Sequence, residues 1–364
     1  MAKCHTLINR RNKCLLIVFI LLIGWIIFRP KAYTYSLNDK EKEMLIMLSQ
    51  HPETRYFGFY SIELPADYKP TGMVMFIQGS AMIPVETKLQ YYPPFLQYMT
   101  RYEAELKNTS ALDPLDTPYL KQVYPLSPPM NGVIFERMKA KYTPDFARVL
   151  DAWKWENGVT FSVKIEAKDG RATRYDGIRK IAEYSYGYNI PEKKVQLLTI
   201  LSGLQPRADN QPPSENKLAI QYAQVDASLL GEYELSVDYK NSNNIKISLQ
   251  TDNNSYIDSL LDKDVRVMET EHGITLHKGR KKINGLDISE WWVREQIMLS
   301  SEPSRDYEFN LAIHEDKKNN KQLLKLVMNY SVDILHADNA LTEHELMALW
   351  ESITGTIKYH PTQW

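Results

Sequence analysis

Few residues in this 364-residue chain stand at spacings that chemistry would use. Ser214-Glu-Asn-Lys217 fits S-x-x-K, in which a lysine amine activates a serine hydroxyl. Its companions S-D-N and K-T-G are absent, and the stretch falls at a loop-to-strand junction. His344-Glu345 begins like the zinc helix H-E-x-x-H, but Ala348 stands where the second histidine belongs. His272 and His277 are five apart with no carboxylate cluster beside them, so they read as surface histidines rather than a metal pair. No G-x-S-x-G elbow, G-x-x-x-x-G-K phosphate loop or G-x-G-x-x-G turn occurs. No catalytic residue, metal ligand or cofactor site is therefore assigned. The remaining candidates are recognition residues. Trp153 and Trp155, two apart, share one face of a strand and read as core. Trp291 and Trp292 are neighbours that cannot both point inward in a regular element, so a loop with one of them partly exposed is expected. Exposed tryptophans have the size and stiffness of interface anchors. The candidate partner-binding set is Trp291 and Trp292 together with Asp116, Tyr119 and Tyr124 from the Pro-rich connection Pro114–Pro129.

The segment Cys14–Phe28, CLLIVFILLIGWIIF, is uncharged and lies between Lys3, Arg10, Arg11 and Lys13 on one side and Arg29 and Lys31 on the other. A helix at about 1.5 Å per residue falls short of the roughly 30 Å hydrocarbon core, a mismatch that snorkelling by Lys13 and Arg29 and local thinning absorb. No small-residue cleavage site follows Phe28, which favours an uncleaved signal anchor over a cleaved secretory signal. Either way, residues beyond about 32 lie across a membrane, and the expected location is a single-pass bacterial inner-membrane protein with its body in the periplasm. Both cysteines, Cys4 and Cys14, lie in or before the anchor, so the exported body has neither disulfide nor thiolate site. Six of the 44 Lys and Arg residues precede residue 32, leaving 38 against 45 acidic side chains, a balance of −7. An acidic body argues against nucleic acid or anionic lipid as its partner.

The elements that must position any site follow in order. Residues 32–54 read as a juxtamembrane stalk with one amphipathic helix, Leu37, Met44, Leu45 and Leu48 on its apolar side and Asn38 or Asp39 as cap. Arg55–Pro65 reads as one aromatic, β-branched strand and Thr71–Gly79 as a second. Pro93 and Pro94 open a helix with the stripe Phe95, Tyr98, Met99, Tyr102 and Leu106. Pro114–Pro129 reads as an exposed loop, Asn131–Lys139 and Val159–Ala167 as strands, and Pro191–Leu204 as a helix. Leu201–Glu215 looks like a domain boundary. The order then restarts with strands Lys217–Val225, Asn244–Gln250 and Gly273–Gly279, and a hairpin Tyr307–His314 with Gln322–Tyr330 whose tip is Lys317–Lys321. Thr342-Glu-His-Glu345 is a capping box opening a final helix with Leu346, Leu349, Trp350 and Ile353 inward. The expected fold is α+β: two similar domains, 55–205 and 206–364, each an antiparallel sheet with helices on one face, after an N-terminal transmembrane helix in 1–31 and the stalk 32–54.

Three stretches in this order carry a resemblance: RYFGFYSIELPADY (Arg55–Tyr68), LSGLQPRADNQPPSENKLAI (Leu201–Ile220) and LTEHELMALWESITGTIKYHP (Leu341–Pro361). Together they resemble the immunity proteins that protect bacteria from type VI secretion lipase effectors, the fourth class of the Tle/Tli set, over residues 55–361. Leu218-Ala-Ile220 departs from the Gly–Phe–Cys-like opening of the second domain in many relatives. The resemblance implies a non-enzymatic inhibitor, monomeric when free, that grips an α/β-hydrolase-type lipase effector between its two domains and blocks lid opening. The residues alone leave two other readings open, a membrane-anchored periplasmic hydrolase and an envelope structural or adaptor protein.

Overall fold

The computed structural model describes residues 35–364 apart from 79–81, 254–258, 265, 267–272, 298–302, 316–321, 336–339 and 361–364. The apolar segment Cys14–Phe28, His272 and the Lys317–Lys321 tip fall outside these residues. Among the described residues no helix is long and apolar enough to cross a membrane.

Asn38 caps helix α1 (Asp39–Leu48). Its side chain accepts from the Glu41 N–H at 3.0 Å, while Glu41 accepts from the Asn38 N–H at 2.9 Å, satisfying two amides that a helix start otherwise leaves unpaired. The aromatic run expected as one strand is a hairpin, β1 (Pro52–Phe57) and β2 (Tyr60–Pro65), turning at Gly58-Phe59. Gly58 has φ +59, a conformation hairpin turns need and that glycine adopts without a Cβ penalty. Strands β3 (Lys69–Gln78) and β4 (Ile83–Leu89) lead to helix α2 (Tyr92–Asn108), whose first turn holds the prolines and whose buried side carries Phe95, Met99 and Leu106. The Pro-rich connection is not a loop throughout: it contains strand β5 (Leu120–Pro125). Pro125 is tolerated there because β5 pairs with β6 alone and is an edge strand.

Strands β6 (Asn131–Met138), β7 (Ala147–Glu156) and β8 (Val159–Lys168) continue the sheet, followed by short helices α3 (Asp176–Arg179) and α4 (Glu183–Tyr186) and the longer α5 (Ile190–Gly203). Lys217–Val225, expected as one strand, is also a hairpin. After β9 (Leu204–Pro206) come β10 (Lys217–Ile220) and β11 (Ala223–Asp226), with Tyr222 at φ 59 in the turn. Then follow β12 (Glu232–Lys240), β13 (Lys246–Asp252), β14 (Gly273–Ile283), β15 (Leu286–Ile297), β16 (Ser304–Ile313), β17 (Leu323–Asp333), helix α6 (Glu343–Thr354) and β18 (Lys358–Tyr359).

Twelve strands form one antiparallel sheet in the order β14-β15-β16-β17-β13-β12-β3-β4-β8-β7-β6-β5. The chain is thus α+β with few helices. The amino-terminal half has helices on both faces of its sheet, not on one as expected. Helix α2 covers the face carrying Phe135 and Trp153, whereas Lys154, next along β7, donates to the Leu201 and Leu204 carbonyls around the end of α5. In the carboxy-terminal half α6 buries Leu346, Leu349, Trp350 and Ile353 as the spacing requires. Helix α1 is not a free-standing stalk but docks on the start of α6, where the Thr342 hydroxyl donates to Glu41 Oε1 at 2.9 Å.

Candidate functional site

The five residues expected at an interface are not brought together. Trp291 and Trp292 lie on β15, one strand from one end of the sheet, and Asp116, Tyr119 and Tyr124 lie in or just before β5 at the other end. Nor are the tryptophans in a loop or exposed. Alternation along the strand sends them to opposite faces, and each face is covered. Trp291 is fully buried; its Nε1 donates to Thr275 Oγ1 at 2.8 Å, and Lys278 Nζ sits 3.5 Å from the ring centroid. Trp292, 3% exposed, packs on His277 and Phe309. Asp116 is buried, accepting from Arg174 and from the Asp145 N–H. Tyr119 is buried against α2 and accepts from Arg137, while half-buried Tyr124 donates to Glu136 at 2.7 Å under Lys194. In the free chain these side chains hold the fold. Ser214 and Lys217 are likewise engaged separately, with Gln224 and Gln205.

The geometry points instead to a groove at the middle of the sheet. Strands β3 and β4 pair only from Met75 to Ile77 against Ile83 to Val85. Beyond that, β3 follows β12 and β4 follows β8, so the sheet splits between the two halves of the chain. The split forms a groove of about 750 Å³ whose walls include Thr71 and Met73 from β3, Lys88 and Leu89 from β4, and Tyr98 and Arg101 from α2. The Gln221-Tyr222 turn plugs its floor: Thr87 Oγ1 donates to the Gln221 carbonyl at 2.7 Å, and the Gln221 N–H reaches Met73 Sδ at 3.3 Å. One wall is a rigid aromatic shelf. Tyr98 meets Trp153 edge-on at 5.3 Å and stacks on Tyr102 at 5.9 Å. Trp155 Nε1 donates to the Gln90 carbonyl at 2.7 Å, fixing the mouth, while the Nε1 of Trp153 has no hydrogen-bond partner. Burial, with Asp151 nearby, pushes the Tyr98 hydroxyl above its ordinary pKa, so it stays a neutral donor. Next to the groove Leu89, Tyr91 and Leu96 are exposed, Tyr91 by 82%. An apolar and aromatic rim with mixed charges from Glu86, Lys88 and Arg101 suits a protein surface better than a small polar metabolite. Among the described residues no group of His, Cys, Asp or Glu could hold a metal.

Sequence reasoning reached Tyr98 and Trp153 but placed both in the core. The available signal was Leu89-Gln-Tyr-Tyr92, an apolar and aromatic run between a strand and a helix with no inward face to occupy.

Two family models together span most of the chain. Residues 53–207 match the Tle cognate immunity protein 4 N-terminal domain, and residues 212–362 match the Tle cognate immunity protein 4 C-terminal domain. No curated protein matches the sequence. Among solved structures, the apo immunity protein TplEi of the type VI secretion system from Pseudomonas aeruginosa superposes with TM-score 0.64 at 15% identity, over 87% of this chain and 100% of that one. A chain of a Tle4-Tli4 complex superposes with TM-score 0.63 at 14% identity, over 86% and 99%. TplEi complexed with an "L" peptide gives TM-score 0.55 at 16% identity, over 86% and 100%. At such identities the structural likeness is one of fold.

Proposed function

The chain belongs to the Tle cognate immunity protein 4 family, and from that premise we propose that it captures a cognate type VI lipase effector in the groove between its two halves and holds the effector's lid closed. The family's members are effector immunity proteins, inhibitors rather than enzymes, so the work is done by occupation. The observation that supports the clasp is the splitting of β3 from β4: the walls come from the amino-terminal half, while β3 is held by β12 of the carboxy-terminal half, whose Gln221-Tyr222 turn floors the recess. Tyr98 and Trp153 supply stiff aromatic area, and Arg101 supplies a charge-assisted donor, the residue types that dominate interface energies. The lid reading rests on the resemblance and on the volume of the recess, about 750 Å³, which suits a protruding segment rather than a domain.

The anchor reading of Cys14–Phe28 complements this. A tether on the periplasmic face raises the inhibitor's concentration where a delivered lipase meets its lipid. The test titrates a type VI lipase effector of the Tle4 kind, taken from beside this gene where one is encoded there, with the full-length protein, measuring hydrolysis of a lipid substrate and, in parallel, of a short soluble ester that needs no lid opening. Stoichiometric loss of lipid hydrolysis with the ester reaction spared supports lid blocking. Equal loss of both reactions points to direct occlusion of the catalytic site, and no loss of either removes the immunity reading for that lipase.

A further inference from the structure

The Gln221-Tyr222 turn on the groove floor is strained at its second residue. Seven described residues other than glycine have positive φ. Four are asparagine and two are histidine, types that enter the left-handed region readily. The seventh is Tyr222, at φ 59, and a bulky side chain there is an outlier. Two other two-residue hairpin turns of the chain place glycine at the same position: Gly158 (φ 87) between β7 and β8, and Gly285 (φ 81) between β14 and β15. Glycine meets positive φ without a Cβ penalty, so turn closure by itself favours glycine at 222 as well.

A buried arginine fixes the strained turn. Arg207 Nε donates to the Ala223 carbonyl at 3.1 Å and its Nη2 to the Ile220 carbonyl at 3.0 Å, one on each flank. Its backbone N–H donates to the Tyr222 carbonyl at 3.0 Å, and Asp209 Oδ1 accepts from the Tyr222 N–H. Thr87 and Met73 hold Gln221 from the groove side. These bonds fall on backbone atoms of the turn, and the half-buried Tyr222 lines the groove. Strained conformations persist only where the surroundings over-determine them, and they concentrate at functional sites.

We propose that Tyr222 is a recognition residue, its ring presented from the groove floor to an apolar side chain at the tip of the segment that the groove receives. The inference rests on the groove reading and names a residue at its centre. Met73, Leu89 and Tyr98 in the same lining make the surroundings of that contact apolar. Because the turn is pinned on both flanks, the ring loses little freedom on contact. A floor position is also the most completely desolvated once the groove is filled, and tyrosine there is among the residue types that dominate interface energies.

The test measures inhibition of a type VI lipase effector of the Tle4 kind on a lipid substrate, together with thermal unfolding, for the full-length protein and its variants. Tyr222→Gly should weaken inhibition at least tenfold while leaving the unfolding midpoint at or above the parent's, because relief of strain offsets the lost ring. Tyr222→Asn, which also tolerates positive φ, should do the same. Tyr222→Phe keeps the ring and should retain inhibition within about threefold. A lowered midpoint in both Tyr222→Gly and Tyr222→Asn would make the ring a packing element and overturn the assignment, as would Tyr222→Phe as weak as Tyr222→Gly. Arg101→Glu on the groove wall separates this inference from its premise. Inhibition lost there and kept in Tyr222→Gly overturns the floor contact alone, whereas inhibition kept in both removes the groove.

Discussion

The indole of Trp350 is fully buried on α6, and its Nε1 donates to Glu290 Oε1 at 2.8 Å; Glu290 on β15 is 1% exposed, and Lys281 Nζ lies 2.9 Å from the same oxygen. Trp350→Phe removes the donor while retaining most of the ring that packs against Phe309. A hydrogen bond to an ionised buried carboxylate contributes about 1.5–3 kcal/mol, and the smaller ring forfeits roughly 1 kcal/mol of packing, so a cost of about 2–4 kcal/mol is expected at pH 7.5. Burial, only partly offset by Lys281 and the indole, holds the Glu290 carboxyl above its ordinary value of 4.5. A raised folded value means that the native state holds the proton more tightly than the unfolded chain between 4.5 and the folded pKa, so stability falls as pH rises through that window. Removing the indole donor raises the carboxyl further. The penalty of the variant is therefore largest where Glu290 is charged and shrinks, by about 1 kcal/mol, as pH falls through the folded value. Urea unfolding of both proteins from pH 4.5 to pH 8, followed by circular dichroism, measures this difference. A variant within about 0.5 kcal/mol of the parent at pH 7.5, or a penalty that grows on acidification, would refute the reasoning.

Arg101→Glu, on the exposed side of α2 at the groove, should weaken lipase inhibition at least tenfold while leaving the unfolding midpoint within experimental error; a reduction in stability instead would move Arg101 from recognition to folding. Thr342→Ala removes the α6 cap and the bond to Glu41, for a cost of about 1–2 kcal/mol by thermal unfolding. The Asn38 amide, aided by Thr342, holds the Glu41 carboxyl below its ordinary value, so this contribution is present above the unfolded pKa and disappears as pH falls through the folded one. Mass spectrometry of the membrane fraction should find the native amino terminus, and a new terminus between Arg29 and Ser36 would show a cleaved signal. Expressed separately, residues 37–207 and 208–364 should each aggregate, because the cut leaves β3 and β12 as long bare edges; a soluble half with a sharp unfolding transition would show that it folds alone.

The helices were legible because their ends carry local chemistry. Thr342 and Glu345 form the capping box that the spacing announces, the α6 stripe points inward as its periodicity requires, and so do Phe95, Met99 and Leu106 of the α2 stripe, whereas Tyr98 of that stripe lines the groove. Two hairpins read as single strands in the sequence because their turns, Gly58-Phe59 in an aromatic run and Gln221-Tyr222 in an aliphatic one, interrupt strand-like patterns with little turn composition. Two of the three Asn-Gly pairs, Asn157-Gly158 and Asn284-Gly285, close hairpins with φ positive at each residue, whereas Asn131-Gly132 lies within β6. Trp291 and Trp292 misled for a different reason. A strand covered on both faces buries adjacent side chains, and nothing in the local pattern says that Leu260 packs over one face of β15 while Phe309 packs on the other. The groove itself was illegible, since it exists only where β3 leaves β4 for β12, a pairing between residues more than 150 positions apart.

That long-range pairing also explains how a recess between two halves can be stiff enough to select a partner. Were the halves joined by a linker alone, closing on an effector would have to order the hinge at the expense of binding energy. Here β3 and β12 pair from Gln78–Glu232 to Lys69–Lys240, and the halves are latched at other points as well. Gly58 bridges to Ala219, β2 pairs with β18, Thr87 holds the Gln221 turn, and α1 caps onto α6. Each latch joins residues from before position 90 to residues after position 215. The amino-terminal hairpin is thus built into the carboxy-terminal half, and the groove walls are fixed relative to each other before any partner arrives. If the groove takes the effector as proposed, preorganisation of this kind lets Tyr98, Trp153 and Arg101 act on contact rather than after rearrangement, which is what an inhibitor needs if it must reach a lipase before the lipase reaches the membrane.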